Sequence, residues 1–216
     1  MGKFSDFVFI DFEYSGDNIS EAGIVTTGIE LGFKVNNKDS LHIYPDGSLL
    51  VNSKILAQNI YVTCRGKTIV HYGGCERRLI EKLLQQISNV SPFMGEFKFI
   101  DLQQTLIEIT KIHEPPTLKE LCSILGASGF KFHRALDDAK ATKECFIKLV
   151  GYRSYYIPKI REYLFNRSRN TIINGALKRL EDLNSLYPEL AIPLDDITFN
   201  RQRGVCLLWV KILRVS

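Results

Sequence analysis

The first apolar stretch of the chain predicts a strand that ends in two acids. Residues 7–10 are four consecutive apolar side chains, aromatic and β-branched, which is typical of a strand covered on both faces. Asp11 and Glu13 follow, and residues two apart on a strand project to the same side. Because neighbouring acids repel each other and resist desolvation, the pattern predicts a divalent metal between them. On the pattern alone, a strand end facing solvent remains the alternative.

Further β-like segments are spread through the first half of the chain. A Pro-Asp-Gly turn at residues 45–47 favours an antiparallel meander among the early ones. Residues 54–64 carry no strong signal and are interpreted as a connecting stretch. The additional predicted strands are residues 21–27, 30–35, 41–44, 49–51, 67–71 and 97–102.

Helical spacing of apolar residues and helix-capping signals predict four helices from residue 76 onwards. Thr117 with Glu120 three places later forms a capping box, Gly126 closes that helix, and Gly151 stops the last one. Strands first and β–α alternation later predict an α/β fold with a mixed sheet and helices on its faces. The predicted helices span residues 76–87, about 103–112, 117–126 and about 135–150.

Composition adds few constraints. The 216 residues are 45% hydrophobic with a net charge of +4, which describes an ordinary soluble globular protein. Five cysteines without a CxxC pair, and no secretory segment, predict reduced thiols and a cytoplasmic location. A zinc site on Cys64 and Cys75 is disfavoured because the spacing matches no usual zinc pattern. No apolar run is long enough to span a membrane.

Two more acids and a histidine stand where an α/β sheet gathers its ligands. Glu76 starts a helix directly after the strand at residues 67–71, and Asp138 lies in the first turn of the helix after His133. Four carboxylates can hold two metals about 3.5–4 Å apart, a site that activates water and stabilises the leaving oxygen of a phosphodiester. His133 is a candidate base near neutral pH. Each acid is alternatively a solvated helix-start residue.

Two motifs resemble those of a known family. Ile10-Asp-Phe-Glu13 is similar to the first exonuclease motif, Asp-x-Glu, and residues 133–139, His-Arg-Ala-Leu-Asp-Asp-Ala, match the third, His-x-Ala-x-x-Asp-Ala, at every fixed place. Residues 6–150 thus resemble the DEDDh 3′-to-5′ exonucleases, which include proofreading subunits, ribonuclease T and oligoribonuclease. The resemblance implies a ribonuclease H-like fold with a mixed five-stranded sheet, in which Ile100-Asp101 and residues 117–126 are the connecting strand and helix.

The resemblance also implies a mechanism. The phosphodiester bond at a free 3′ end of DNA or RNA would be hydrolysed with two Mg²⁺ or Mn²⁺ ions, releasing nucleoside 5′-monophosphates. His133 would accept the proton of the attacking water, so activity should fall as the imidazole becomes charged. Asp138 is the ligand and Asp137 its solvated neighbour. The metal ligands would be Asp11, Glu13, Glu76 and Asp138.

The second motif departs from the family pattern. Members usually carry His-Asn-x-x-Phe-Asp after this strand, whereas residues 71–76 here are His-Tyr-Gly-Gly-Cys-Glu. Glu76 keeps the charge of the usual Asp but is one methylene longer. It is expected to work as the fourth acid, either directly or through water. The alternatives are a weakened site, or a surface glutamate favoured by the helix dipole.

Three aromatic residues near the acids are candidates for contact with the substrate. Phe12 and Tyr14 flank the acids and are expected to contact the terminal nucleotide, and Tyr72 to stack on a base. Packing in the core is an equally good explanation for all three.

Residues 151–216 lie beyond the resemblance and form a predicted basic extension packed on the exonuclease domain at 1–150. They carry 11 Lys and Arg against 6 Asp and Glu, so the basic bias of the chain resides there. Pro158 can open a helix, residues 166–170 interrupt it, and residues 173–186 form an amphipathic stripe. Residues 196–199 and 205–215 predict a hairpin. An electrostatic track for nucleic acid, a packed helix and a homodimer interface remain alternative uses.

Two further functions stay open at this stage. A degenerate member of the family would bind nucleic acid ends without cutting them, a hypothesis motivated by Glu76. A protein in which the fold serves only to bind a partner protein is the third. The sequence does not distinguish DNA from RNA or a single strand from a duplex.

Overall fold

The computed structural model describes residues 4–36, 42–87, 95, 97–186, 197–202 and 205–210. The chain forms two compact units, residues 1–161 and 162–216. The expectation of a domain boundary at residue 150, with the extension packed on the domain, stays a prediction.

A seven-stranded mixed sheet is the centre of the first unit. Its order is β4-β5-β3-β2-β1-β6-β7. The first three strands form the expected antiparallel meander, and β6 and β7 join β1 in parallel. The strands are β1 (Phe7–Ser15), β2 (Asn18–Val25), β3 (Glu30–Val35), β4 (His42–Ile43), β5 (Leu49–Val51), β6 (Thr68–His71) and β7 (Lys98–Asp101).

The α/β fold class is confirmed, and the sheet has two more strands than the five that the resemblance implied. The core order β3-β2-β1-β6-β7 accounts for five, and the short pair β4 and β5 extends one edge. The meander does not continue through this pair, because β5 lies parallel to β3 and only β4 pairs antiparallel with β5.

Among the described residues, five α-helices precede the long helix that starts at Arg153, and four were expected there. The interpretation of residues 54–64 as a connecting stretch was wrong. They form a helix because Asn52 caps its start, accepting a hydrogen bond from the Ile55 amide at 2.8 Å, and four of its residues pack into the core. The helices are α1 (Ser53–Cys64), α2 (Glu76–Leu84), α3 (Leu102–Thr110), α4 (Leu118–Leu125) and α5 (Ala135–Gly151).

Local capping signals in the sequence are confirmed at α4. The Thr117 hydroxyl accepts from the Glu120 amide at 3.2 Å, and the Glu120 carboxylate accepts from the Thr117 amide at 2.7 Å. Gly126 ends the helix in the left-handed conformation, with φ of 65°. The start and the end of α4 are thus set by its own capping residues.

The core has two layers, one on each face of the sheet. Even-numbered residues of β1 pack with α1 and α2 in one apolar cluster, which includes Val8, Ile10 and Phe12. Odd-numbered residues face α5, since the Phe9 ring lies 5.6 Å from that of Phe146. Asp11 and Glu13 share the odd-numbered face, so α5 is the helix that meets the acids.

The second unit contains most of a long helix and a hairpin. Helix α6 (Arg153–Leu186) begins in the first unit and contains Pro158 in its interior. The predicted interruption at residues 166–170 was wrong, because Arg and Ser at the centre of that patch do not break a helix. The hairpin is confirmed by β8 (Ile197–Gln202) and its antiparallel partner β9 (Val205–Val210). Residue 196 and residues 211–215 of the predicted hairpin lie outside the described residues.

The sequence also predicted reduced cysteines and no apolar run long enough to span a membrane. Four cysteines among the described side chains, Cys64, Cys75, Cys122 and Cys145, carry free thiols. Within the described part of the chain, no helix combines the length and apolar composition needed to cross a bilayer.

Candidate metal centre

The central strand places Asp11 and Glu13 beside the start of α5. The pairing of β1 with β2 becomes irregular directly after Glu13, between Glu13 and Tyr14. Such a bulge redirects the strand at the point where the acids end, a common device next to active sites. Asp11 pairs with Gly23 of β2, so the first acid lies opposite a residue without a side chain.

Gly23 explains how α5 comes close enough to contribute a third acid. A Cβ atom on Gly23 would lie 2.2 Å from the carbonyl oxygen of Ala135, the first residue of α5, so the helix start rests directly on the β2 backbone. Gly32 of β3 allows a similar approach by the Leu136 side chain. Sequence reasoning did not identify these glycines, although a glycine inside a strand is a recognised signal of close backbone contact.

Three of the four predicted acids converge. Ligand oxygens of Asp11, Glu13 and Asp138 lie within 4.8 Å of one another. The Asp138 side chain is oriented by the His133 backbone amide, which donates to Oδ2 at 3.0 Å. Its other oxygen, Oδ1, is buried and has no hydrogen-bond partner among the described residues.

The electrostatics of this cluster reflect crowded negative charge. Burial, followed by the charges of Asp138, Glu76 and Glu13, raises the pKa of Asp11 from 3.8 to about 9. Burial also raises the pKa of Asp138 to about 6, although the hydrogen bond from the His133 amide opposes that shift. A cation at the cluster would favour the ionised carboxylates and so oppose both pKa shifts.

Glu76 lies near the cluster but outside the group of three. It begins α2, is only 5% exposed, and is close enough for its charge to raise the pKa of Asp11. Its Oε2 atom lies 3.3 Å from Nδ1 of His71 and has no hydrogen-bond partner among the described residues. The surface-glutamate alternative is therefore excluded by burial.

His133 is exposed and has a left-handed backbone conformation, with φ of 65°. This conformation is uncommon for residues other than glycine. It accompanies the hydrogen bond from the His133 amide to Asp138, five residues later. Asp137 lies beside the cluster and accepts instead from the Lys131 amide at 3.3 Å, consistent with its expected role as the neighbour of the ligand.

The three aromatic candidates have different environments. Phe12 is 3% exposed and packs in the core on the face opposite the acids. Tyr14 is 40% exposed and borders a groove of about 570 Å³ that is also lined by Glu13 and Lys82. The Tyr72 hydroxyl donates to the Pro116 carbonyl oxygen, which ties its ring to the loop before α4.

The residues fit a hard divalent cation. Every side chain of the cluster supplies carboxylate oxygen, the ligand type that suits Mg²⁺ and Mn²⁺. Two buried oxygens, Oδ1 of Asp138 and Oε2 of Glu76, lack a hydrogen-bond partner among the described residues, although buried polar atoms normally have one. A cation bound among these carboxylates would give the unpartnered oxygens an electrostatic partner and would reduce the repulsion between the acids.

Comparison with known proteins supports the architecture. No family model and no curated protein matches the chain. The zinc-bound complex of Escherichia coli exonuclease I with single-stranded DNA is 18% identical, with a TM-score of 0.51 over 79% of this chain and 45% of that one. The complex of the same enzyme with a 5cy-dT13 oligonucleotide is 16% identical, with a TM-score of 0.51 over 81% and 46%.

This chain therefore spans less than half the length of those exonuclease I chains. At such low identity, the likeness establishes the fold and not the activity. The mixed sheet flanked by helices agrees with the fold that the sequence motifs implied. The chain has a ribonuclease H-like α/β fold, shared with exonuclease I of E. coli.

Proposed function

We propose that this chain is a metal-dependent 3′-to-5′ exonuclease that hydrolyses DNA or RNA from a free 3′ end and releases nucleoside 5′-monophosphates. The observation that carries the proposal is the convergence of Asp11, Glu13 and Asp138 within 4.8 Å. Two sequence motifs of the DEDDh type supply the same three residues together with His133. The shared fold with an exonuclease crystallised on single-stranded DNA supports a single strand as the first substrate to test.

The geometry and the sequence motifs together support a role for each residue of the site. Asp11, Glu13, Asp138 and Glu76 would hold two Mg²⁺ or Mn²⁺ ions, which when bound stabilise negative charge on the phosphate and acidify water. The His133 amide fixes Oδ2 of Asp138 and leaves Oδ1 available as a ligand. The exposed His133 imidazole accepts the proton of the attacking water at a ring nitrogen. The groove beside Tyr14 receives the terminal nucleotide.

A labelled-strand assay tests this function. A single strand labelled at its 5′ end is incubated with Mg²⁺, with Mn²⁺ or with a chelator, and the products are resolved by length. We expect a metal-dependent ladder that shortens from the 3′ end. Immediate release of the 5′ label as a mononucleotide would contradict the proposed direction, and absence of metal-dependent cleavage would contradict the activity.

Two neighbouring acids provide a matched pair of variants for this assay. Asp138→Asn removes a buried ligand, and Asp137→Asn makes the same chemical change one residue away, where the side chain accepts from Lys131. The first should abolish cleavage, whereas the second should retain it. Equal activity of the two variants would refute the assignment of Asp138.

A second candidate function is a nucleic acid end-binding protein without efficient cleavage. The observation that favours it is the position of Glu76 outside the three-acid group. Retained binding of single-stranded DNA, measured by fluorescence anisotropy, together with no product in the same assay would support this function over the first.

A further inference from the structure

The loop between β6 and α2 is closed by a buried histidine. His71, at the end of β6, is 4% exposed, and its Nδ1 atom lies 2.7 Å from the carbonyl oxygen of Gly73. Because a carbonyl oxygen can only accept, the hydrogen of the imidazole must be on Nδ1. The donor therefore holds the loop only two residues after the strand ends.

The same loop is anchored from the neighbouring strand. The Gly73 amide donates to Oδ1 of Asp101 at 3.4 Å, and Asp101 is paired with His71 across β6 and β7. Asp101 also caps α3 by accepting from the Gln103 amide at 2.9 Å. Gly73 has φ of 118°, a conformation that side chains disfavour. The turn thus has one defined shape, and both polar backbone atoms of Gly73 are used to hold it.

Glu76 is placed by this turn. It is the first residue of α2, and its Oε2 atom lies 3.3 Å from the Nδ1 atom that donates to Gly73. Since that hydrogen is already directed at the carbonyl, Oε2 lies beside the donor and remains without a hydrogen-bond partner among the described residues. A carboxylate that is 5% exposed and only partly compensated can still take a further cationic partner.

We propose that His71 is a positioning residue that sets the start of α2, so that the long Glu76 side chain presents its unpartnered oxygen to the same metal centre as the three-acid cluster. The proposal rests on the metal site of the proposed function and adds a residue to its support. It also explains the departure from the family motif. The glutamate length matches this closed turn, and the shorter Glu76→Asp side chain should bind metal less well.

Three substitutions of His71 separate positioning from packing. His71→Asn places an amide N–H close to where Nδ1 lies and can still donate to Gly73. His71→Gln carries its donor near the position of Nε2, further from the loop, and His71→Leu has no donor. All three remove the imidazole from its contact with Phe99, whose ring lies 6.3 Å away. Only the first should preserve the turn.

The test measures Mn²⁺ binding to the full chain by calorimetry, without nucleic acid. His71→Leu and His71→Gln should raise the dissociation constant by about 10-fold or more, the usual effect of removing a residue that orients a ligand. His71→Asn should remain close to the unsubstituted protein. Unchanged affinity in the leucine and glutamine variants, or equal loss in all three, would overturn the proposal.

A double-variant comparison identifies Glu76 as the route of the effect. In a Glu76→Ala background, His71→Gln should cause no additional loss of Mn²⁺ affinity, because the side chain that His71 positions is absent. A full additional loss would show that His71 acts through general stability and would refute the proposal. If His71→Leu does not fold by circular dichroism, the asparagine and glutamine pair decides the question.

The readout keeps this inference separate from the proposed activity. If the unsubstituted protein binds Mn²⁺ with the expected dependence on His71 but cleaves no nucleic acid, the exonuclease proposal fails and the positioning proposal stands. If the unsubstituted protein cleaves nucleic acid but His71→Gln binds Mn²⁺ normally, the exonuclease proposal stands and the positioning proposal fails.

Discussion

Asp11 should destabilise the folded, metal-free protein, so replacing it with a neutral side chain should stabilise the chain. Asp11 has a pKa of about 9 in the folded chain against 3.8 as the ordinary value, chiefly because of burial and secondarily because of Asp138 and Glu76. Because pH 7 is about three units above the ordinary pKa, the Asp11 carboxyl is ionised in the unfolded chain. Folding must therefore protonate it, at a cost of about 4 kcal/mol.

Asp11→Asn removes this cost while keeping the size of the side chain. Because the buried amide needs hydrogen-bond partners of its own, we expect a gain on the order of 2–4 kcal/mol in the free energy of unfolding. For a chain of this size, that gain corresponds to roughly 4–16 °C in Tm. The gain should disappear when Mn²⁺ saturates the unsubstituted protein, since the ion stabilises only a chain that retains the carboxylate.

The raised pKa of Asp11 also predicts how the stability of the metal-free protein changes with pH. A folded-state pKa raised above the unfolded value means that the folded chain binds more protons between pH 3.8 and about 9. Stability of the metal-free protein should therefore fall as pH rises through this window, by up to about 1.4 kcal/mol per pH unit from this group. Asp11→Asn should remove that slope.

Urea unfolding followed by circular dichroism, with a chelator present, at about pH 5.5 and about pH 8.5, measures both effects. Asp182→Asn, the same change at an exposed helical position, is the control and should leave stability nearly unchanged. If Asp11→Asn is no more stable than the unsubstituted chain at the higher pH, or if the unsubstituted chain becomes more stable as pH rises, the electrostatic account of the site is wrong.

Three other substitutions test the scaffold and the chemistry. Gly23→Ala should destabilise the chain by about 2–3 kcal/mol in urea unfolding and weaken Mn²⁺ binding, because the new Cβ meets the α5 backbone, whereas Gly28→Ala has open space and should do neither. Thr117→Ala should cost about 1 kcal/mol in the same unfolding experiment through loss of the α4 cap; no change would contradict the capping assignment. His133→Ala should reduce kcat by roughly 10²- to 10⁴-fold while Mn²⁺ affinity is retained, because its backbone amide still holds Asp138; a parallel loss of affinity would assign the imidazole to the metal site.

Much of the fold follows from local signals in the sequence. The strand that carries Asp11 and the cap at Thr117 were both predicted correctly, because burial patterns and capping chemistry act over a few residues. The helix at residues 53–64 was missed because its local signals are weak. Its apolar positions are interleaved with residues of weak helical preference, and its stability comes from burial of Leu56 and Ile60 against the sheet.

The site was less predictable than the fold. Sequence spacing identified Asp11, Glu13 and Asp138, which the structure brings together. The sequence offered no measure of how far Glu76 reaches, because that depends on the turn held by His71. Side-chain length in an uncommon motif cannot be interpreted until the backbone that carries it is known.

The contact between Gly23 and the start of α5 has a consequence for unfolding. It brings together carboxylates from the first strand and from a helix more than 120 residues later in the chain. A bound ion would therefore act as a reversible cross-link between distant segments, closing a long loop that the unfolded chain leaves open. Amide hydrogens of β1 and of α5 should then gain protection from exchange together when Mn²⁺ is added, as one cooperative unit.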